Sequence, residues 1–165
     1  MILTLGLLVI EMVGLFLLLW SAVALVQKRM FFSSAPKEVL EVIQPKQPRF
    51  RGQHLLGWCV MVCAFVMLVG PIVFGGLDGI HRGFTFPQFL VRFLIQIFGL
   101  KIYDIFFFDW ILLCNSNFFP HYYPEAKSLV GRHLFGFNKK SHVREGLFLI
   151  VLSFVLALVC AHIAA

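Results

Sequence analysis

The chain has 165 residues, of which 60% are hydrophobic and only 13% are charged, and its mean hydropathy is +0.90. A soluble domain carries about 25% charged residues, so this sequence has too little polar surface for a water-exposed globule and predicts an integral membrane protein. The formal net charge is +6. In a membrane protein this charge indicates basic loops against anionic lipid heads, and no nucleic-acid partner is expected.

Four apolar segments are long enough to cross about 30 Å of hydrocarbon, which takes roughly 20 helical residues. They cover about 1–26, 55–77, 88–113 and 146–165. Because backbone polar groups in lipid must bond within their own segment, each segment is predicted to be a helix. The sequence thus predicts an all-α, polytopic membrane protein, a single domain of four transmembrane helices. Gly75-Gly76 in the second segment predicts close helix packing.

Basic residues are concentrated in the two long connections, 27–54 and 114–145, which hold six and five of the 14 lysines and arginines. Two predicted helices separate these connections, so both lie on one side of the membrane. The positive-inside rule makes that side cytoplasmic and places both termini outside, in a multi-pass protein of the cell inner membrane. Each connection is predicted to carry a short interfacial helix, one starting near Ser34 and one near Pro124.

Ionisable groups within the apolar segments are the first candidate site, because such groups are costly in a bilayer. Lys101 and Asp104 are three residues apart and can touch along one helix face. Glu11 is predicted to lie at a similar depth, so we expect an intramembrane cluster of Glu11, Lys101 and Asp104. This cluster either serves a ligand or forms a buried ion pair that only fixes the helix register. The third segment has polar groups on several faces, which predicts a central helix, an oligomer interface or an aqueous cavity.

The second candidate site is the connection that follows the third segment, which is dense in polar and aromatic residues. Acid–base side-chain types there are Asp109, His121 and Glu125, followed by Arg132 and His133. These residues predict a pocket at the cytoplasmic membrane surface; the alternative is a solvated loop anchored by aromatic rings. Their spacing matches no metal-binding motif, so no metal site is predicted and no cofactor is assigned.

A short element in the same connection resembles a known family. Arg132-His133-Leu134-Phe135-Gly136 resembles the Arg-His-Pro-x-Tyr-x-Gly element of isoprenylcysteine-type membrane methyltransferases. The proline of that element is missing here and the spacing to the glycine is shorter. The resemblance implies an enzyme that methylates a lipid-like substrate, and it assigns no catalytic role to a residue.

Three functions follow from these features. The preferred prediction is a small membrane protein that binds an amphiphilic or anionic small molecule, or a larger membrane partner, through the third helix and its following loop. The first alternative is a membrane-embedded enzyme acting on a lipid-like substrate at the cytoplasmic face, with the candidate catalytic residues Asp109, His121, Glu125, Arg132 and His133. The second alternative is a small transporter or channel subunit that uses the intramembrane cluster as a charge relay. The bilayer itself, and a homo-oligomer or larger membrane complex, are the expected partners.

Overall fold

A computed structural model describes residues 1–28, 37–44, 46–129 and 139–164. Every regular element in these ranges is helical, which confirms the all-α class there. The elements are α1 (Ile2–Ser21, continued by a π-helical segment Ala22–Val26), α2 (Lys37–Val42), α3 (Gln53–His81), α4 (Phe86–Tyr103, continued by a π-helical segment Asp104–Cys114), α5 (Phe118–Tyr122), a 3₁₀ turn (Pro124–Ala126) and α6 (Lys139–Ala164).

Three helical segments are long and apolar enough to cross a membrane: Ile2–Val26, Gln53–His81 and Lys139–Ala164. They correspond to the first, second and fourth predicted spans. The third predicted span, 88–113, lies inside a continuous helix from Phe86 to Cys114. It is not among the three. Its sequence contains four charged residues, Arg92, Lys101, Asp104 and Asp109.

The surface of these helices has the polarity expected for a protein in hydrocarbon. Large apolar side chains are exposed along α3 and α6, among them Val62, Phe65, Val66, Val73, Phe148, Val151, Val155 and Val159. By contrast, Glu11 and Gln96 have 0% of their surface exposed and Arg92 has 5%. Exposed apolar surface of this extent on the described helices is consistent with a membrane protein.

The described residues form two compact units. Unit 1 comprises 1–14, 66–104 and 139–164, and unit 2 comprises the remaining described residues. In unit 1, α4 packs along α6. The core of that contact contains Phe89, Phe93 and Ile97, which are spaced four residues apart on one face of α4, together with Ala157 of α6.

A tight turn joins α3 to α4 within unit 1. Gly83 adopts φ +62°, and the N–H of Phe84 donates to the carbonyl of Gly79 at 2.9 Å. This is a Schellman-type helix end, in which a glycine takes the left-handed conformation that other residues adopt only with strain. The N–H of Thr85 then donates to Gln88 Oε1 at 2.8 Å and starts α4. The turn fixes the position of the Phe84 ring.

In unit 2, Gln53 at the start of α3 holds the π-helical end of α1. Gln53 is 1% exposed, and its Nε2 donates to the carbonyl of Leu25 at 2.9 Å and to Gln27 Oε1 at 3.4 Å. Its Oε1 accepts from the N–H of Arg49 at 2.7 Å. The carbonyl of Leu25 is near the end of a helix, where backbone acceptors lack intrahelical partners.

The connections differ in detail from the sequence prediction. The first short helix begins at Lys37, and the predicted start at Ser34 lies outside the described residues. Only a 3₁₀ turn begins at Pro124, whereas α5 precedes it where a pocket loop was predicted. Both short helices pack in one apolar cluster, whose buried members are Val23, Ile43, Phe119, Tyr123 and Ala126.

Candidate functional site

Unit 1 contains a line of buried polar side chains contributed by three helices. Gln96 of α4 donates through Nε2 to Glu11 Oε1 of α1 at 2.7 Å and to the carbonyl of Pro71 in α3 at 3.3 Å. Arg92 precedes Gln96 by four residues and therefore lies on the same face of α4. These two side chains thus meet the neighbouring helices together.

The close approach of α3 to this face depends on a glycine. A Cβ atom at Gly75 would lie 3.0 Å from Gln96 Oε1 and 3.5 Å from Arg92 Cδ. The contact also uses the carbonyl of Gly75, which accepts a hydrogen bond from Arg92. The close packing that Gly75-Gly76 predicted is therefore present here, and it places backbone oxygen next to polar side chains.

Arg92 is the central charged group of the site. Its Nη1 donates to the carbonyl of Gly75 at 2.6 Å and to Asp78 Oδ2 at 2.9 Å. The guanidinium carbon lies 4.4 Å from the centre of the Phe84 ring, a cation–π contact. Asp78 is shared, because its Oδ1 accepts from Arg82 Nε at 2.8 Å. One carboxylate thus faces two guanidinium groups, and this group of three charges carries a net charge of +1.

Part of the hydrogen-bonding capacity of the site is unused. Arginine has five N–H donors, and within the described residues both hydrogen bonds of Arg92 come from Nη1. Arg92 Nε, Gln96 Oε1 and Glu11 Oε2 are buried without a partner among those residues. The Nε–Nη2 edge of a guanidinium is the edge that pairs with a carboxylate or phosphate through two parallel hydrogen bonds. Arg92 Nε belongs to that edge and has no partner among the described residues.

A cavity of about 390 Å³ adjoins Arg92. Its remaining wall is largely apolar and is formed by Met1, Thr4, Phe84, Pro87, Gln88 and Val91. Ligand sites typically combine such apolar walls with a few fixed polar groups. A cation at the edge of an apolar cavity can bind a molecule with an acidic head and a hydrocarbon chain.

The predicted cluster of Glu11, Lys101 and Asp104 is divided in the structure. Lys101 Nζ lies 2.7 Å from Asp104 Oδ2, as expected, but its second carboxylate is Glu145 Oε2 of α6, also at 2.7 Å. The Glu11 carboxyl group instead accepts from Gln96. Gln96 and Lys101 are five residues apart, which separates them by roughly 140° around an α-helix. They consequently face different neighbours.

Only some residues of the predicted cytoplasmic pocket are among those that the structure describes. Glu125 Oε2 lies 3.3 Å from Lys46 Nζ, and the exposed His121 ring packs edge-on against Tyr122 with 4.9 Å between ring centres. Asp109 lies in the π-helical segment after α4. Arg132 and His133, and with them the methyltransferase-like element, lie outside the described residues. Among the residues that the structure describes, no group of three or more His, Cys, Asp and Glu side chains is arranged to hold a metal ion.

Lys46 and Tyr123 stabilise this part of unit 2. Lys46 Nζ donates to the carbonyl of Tyr122 at 2.5 Å and lies 4.7 Å from the centre of the Tyr123 ring. Tyr123 is fully buried, and this burial raises the pKa of its phenol, an effect that the nearby charge of Glu125 increases. The contacts of Lys46 tie the segment after α2 to the segment after α5, which is a structural role.

Comparison of the chain with protein-family models, with curated proteins and with solved structures returned no match. The Arg92 site is the group formed by Arg92, Asp78, Arg82, the Gly75 carbonyl and the adjoining cavity.

Proposed function

We propose that the protein is a four-pass membrane protein that binds an amphiphilic anion at the Arg92 site. The acidic head pairs with the Nε–Nη2 edge of Arg92, and the hydrocarbon chain lies against the apolar wall of the cavity. The observation that carries this proposal is a buried guanidinium with unused donors beside a cavity of about 390 Å³.

The charge balance of the site supports an anionic ligand. A buried arginine requires compensation of its charge, since an unpaired ion in a low-dielectric interior is strongly unfavourable. Asp78 provides only part of this compensation because it is also paired with Arg82. A carboxylate or phosphate head supplies the missing negative charge and the acceptors that Arg92 lacks. Hydrogen bonds between charged groups contribute about 1.5–3 kcal/mol each.

The four-pass topology is supported by the partners of the cations in α4. Arg92 is paired with Asp78, and Lys101 is paired with Asp104 and Glu145. Ionisable groups inside a bilayer are tolerated when they face the interior of a bundle and pair with one another. The helix from Phe86 to Cys114 is therefore a suitable fourth span. With four spans, the basic connections share the cytoplasmic side.

Single-cysteine labelling tests this topology. The native Cys59, Cys63, Cys114 and Cys160 are first replaced by serine, and a cysteine is then introduced separately at Arg49, Gly83 or Lys127. A membrane-impermeant maleimide added outside intact cells is expected to label position 83 alone, and to label 49 and 127 only after permeabilisation. Labelling of 83 and 127 from the same side would show that α4 does not cross.

Ligand binding is tested with the protein in nanodiscs of uncharged lipid. Dodecyl phosphate is expected to bind, whereas dodecanol and inorganic phosphate, which each lack one half of the required chemistry, bind at least tenfold more weakly. Arg92→Gln is expected to weaken dodecyl phosphate binding by about 10- to 150-fold, the loss of about 1.5–3 kcal/mol. Arg92→Lys keeps the positive charge but lacks the planar guanidinium group. Its affinity for dodecyl phosphate is expected to lie between those of the unchanged protein and Arg92→Gln.

Lys101→Gln is the matched control, because it removes the other paired cation of the same helix without touching the cavity. Its affinity for dodecyl phosphate is expected to equal that of the unchanged protein. Equal losses in the Arg92 and Lys101 variants, or equal affinity for dodecanol and dodecyl phosphate, would contradict the proposed site. The enzyme and transporter alternatives remain predictions from the sequence.

A further inference from the structure

Asp78 pairs with two arginines through one oxygen each. Its Oδ2 accepts from Arg92 Nη1 at 2.9 Å, and its Oδ1 accepts from Arg82 Nε at 2.8 Å. Arginine and a carboxylate frequently pair through two parallel hydrogen bonds, but the structure gives each of these arginines only one hydrogen bond to Asp78. The carboxylate is thus divided between two cations and completes the hydrogen bonding of neither.

The two arginines differ in their surroundings. The Arg92 side chain is 5% exposed and contributes to the cavity wall, whereas the Arg82 side chain is 63% exposed and is not among the described residues that form this wall. The backbone N–H of Arg82 donates to the carbonyl of Asp78 at 3.1 Å, so the two residues are one helical turn apart on the same face. Arg82 therefore reaches the site from its exposed side and contacts it through Asp78.

Asp78 can compete with a bound anion for Arg92. Its side chain is 14% exposed, so an oxygen released from Arg82 finds little water to replace the lost hydrogen bond, and an unpaired charge there is unfavourable. Its other oxygen is already on Arg92 Nη1. Placing Oδ1 on Nη2 of the same guanidinium would complete the two-bond pairing that arginine and carboxylates favour. Because Nη2 belongs to the edge that the acidic head of the ligand uses, this pairing would occupy part of the ligand site.

We infer that Arg82 is a positioning residue of the Arg92 site, which holds Asp78 Oδ1 and thereby leaves the Nε–Nη2 edge of Arg92 to the ligand. This inference rests on the proposed function and deepens it, because it gives Arg82 a role in anion binding without contact with the anion. Asp78 lowers the affinity of the site for an anion, and Arg82 limits this effect.

Binding of dodecyl phosphate to the full chain in nanodiscs of uncharged lipid tests the inference. Arg82→Gln is expected to weaken binding by about two- to fivefold, the equivalent of about 0.4–1 kcal/mol, as measured for ion pairs with an exposed partner. Arg82→Lys keeps an ammonium group that can pair with Asp78 Oδ1 and is expected to recover most of this loss. Equal losses in the two variants would contradict the role of the ion pair.

A double-mutant cycle with Asp78→Asn shows whether Arg82 acts through Asp78. Asp78→Asn alone is expected to tighten binding, because the competing negative charge is removed. In that background, Arg82→Gln should have no further effect. A loss as large as in the unchanged background would show that Arg82 acts on the anion directly, and would overturn the inference although dodecyl phosphate still binds.

Nuclear magnetic resonance of isotope-labelled arginine side chains measures the pairing of Arg92 with no ligand present. The Arg92 signals are identified as those that disappear in Arg92→Gln. They are expected to shift in Arg82→Gln, because Asp78 then occupies Nη2, and to keep their positions in Arg82→Lys. Unchanged signals in Arg82→Gln would overturn the inference even if Asp78→Asn fails to fold. Failure of the proposed function shows instead as equal affinity of the unchanged protein for dodecyl phosphate and dodecanol, so the two failures are distinguishable.

Discussion

Replacing Gly79 with alanine tests the contact between α3 and α4 that holds the Arg92 site in place. A Cβ atom at Gly79 would lie 2.3 Å from Cε1 and 2.9 Å from Cζ of Phe89, well inside van der Waals contact. The Phe89 ring is fully buried, with ring-centre distances of 6.3 Å to Phe93 and 5.7 Å to Phe84. It cannot withdraw without displacing these rings. Overpacking of this kind destabilises a core by about 1–3 kcal/mol.

The control is Gly70→Ala, in the same helix, where the added methyl group meets nothing within 4 Å. Both substitutions gain about 0.8–1.0 kcal/mol of helix propensity, so the difference between the variants isolates the packing penalty. Reversible unfolding in mixed micelles is expected to give Gly79→Ala a free energy of unfolding about 1–3 kcal/mol below that of Gly70→Ala. Adding Phe89→Leu should recover part of the loss. Equal stability of the two alanine variants would refute the predicted overlap.

Three further predictions concern other parts of the chain, and each is measured by unfolding. Gln53→Leu is expected to lower the free energy of unfolding by about 2–3 kcal/mol, because a buried side chain loses its hydrogen bonds, whereas the exposed Gln47→Leu stays within about 0.5 kcal/mol. Gly83→Ala is expected to lower the free energy of unfolding by about 1–2 kcal/mol, because Gly83 has a positive φ that alanine adopts only with strain. Gly146→Ala is the control and should show no such loss. Equal effects of the two substitutions would contradict strain at Gly83. Because burial raises the pKa of Tyr123 above its ordinary value of 10.0, stability should fall as the pH rises above this value, by up to about 1.4 kcal/mol per pH unit. Tyr123→Phe should abolish this component of the alkaline loss, and an unchanged pH profile would contradict it.

The helical class and the approximate positions of three membrane-spanning candidates could be predicted because hydrocarbon allows so few alternatives. A run of about 20 apolar residues in lipid must satisfy its backbone internally, which requires a helix. The helix ends were less predictable. Hydropathy marks where side chains leave the hydrocarbon, whereas backbone hydrogen bonding continues into the polar region. The structure accordingly extends α3 to His81 beyond the predicted residue 77, and starts α6 at Lys139 before the predicted residue 146.

Which polar side chains of different helices pair depends on the rotation of each helix about its own axis. The depth of a residue along its helix does not give this rotation. Depth alone predicts one cluster of Glu11 and Lys101, because both lie well inside their predicted spans. The more informative pattern was the shared spacing of four residues in two helices. Arg92 and Gln96 form a polar face on α4. Gly75 and Gly79 have no side chains on the facing side of α3, so the polar face and Phe89 can pack closely against it. Matching polar and small-residue faces would have placed Gln96 against α3 from the sequence.

The error in helix ends and the error in charge pairing have one origin. The carboxylates that compensate the two cations of α4 from neighbouring helices are Asp78 and Glu145. Each stands one residue outside a predicted span, at 78 after 55–77 and at 145 before 146–165. A carboxylate at this boundary can stay hydrated until its helix packs against α4, and then pair with a cation deeper in the membrane. This arrangement avoids placing an acidic group in the middle of α3 or α6. Glu11, buried in the membrane-spanning candidate Ile2–Val26, has no cation of its own among the described residues, and this favours the neutral carboxyl group.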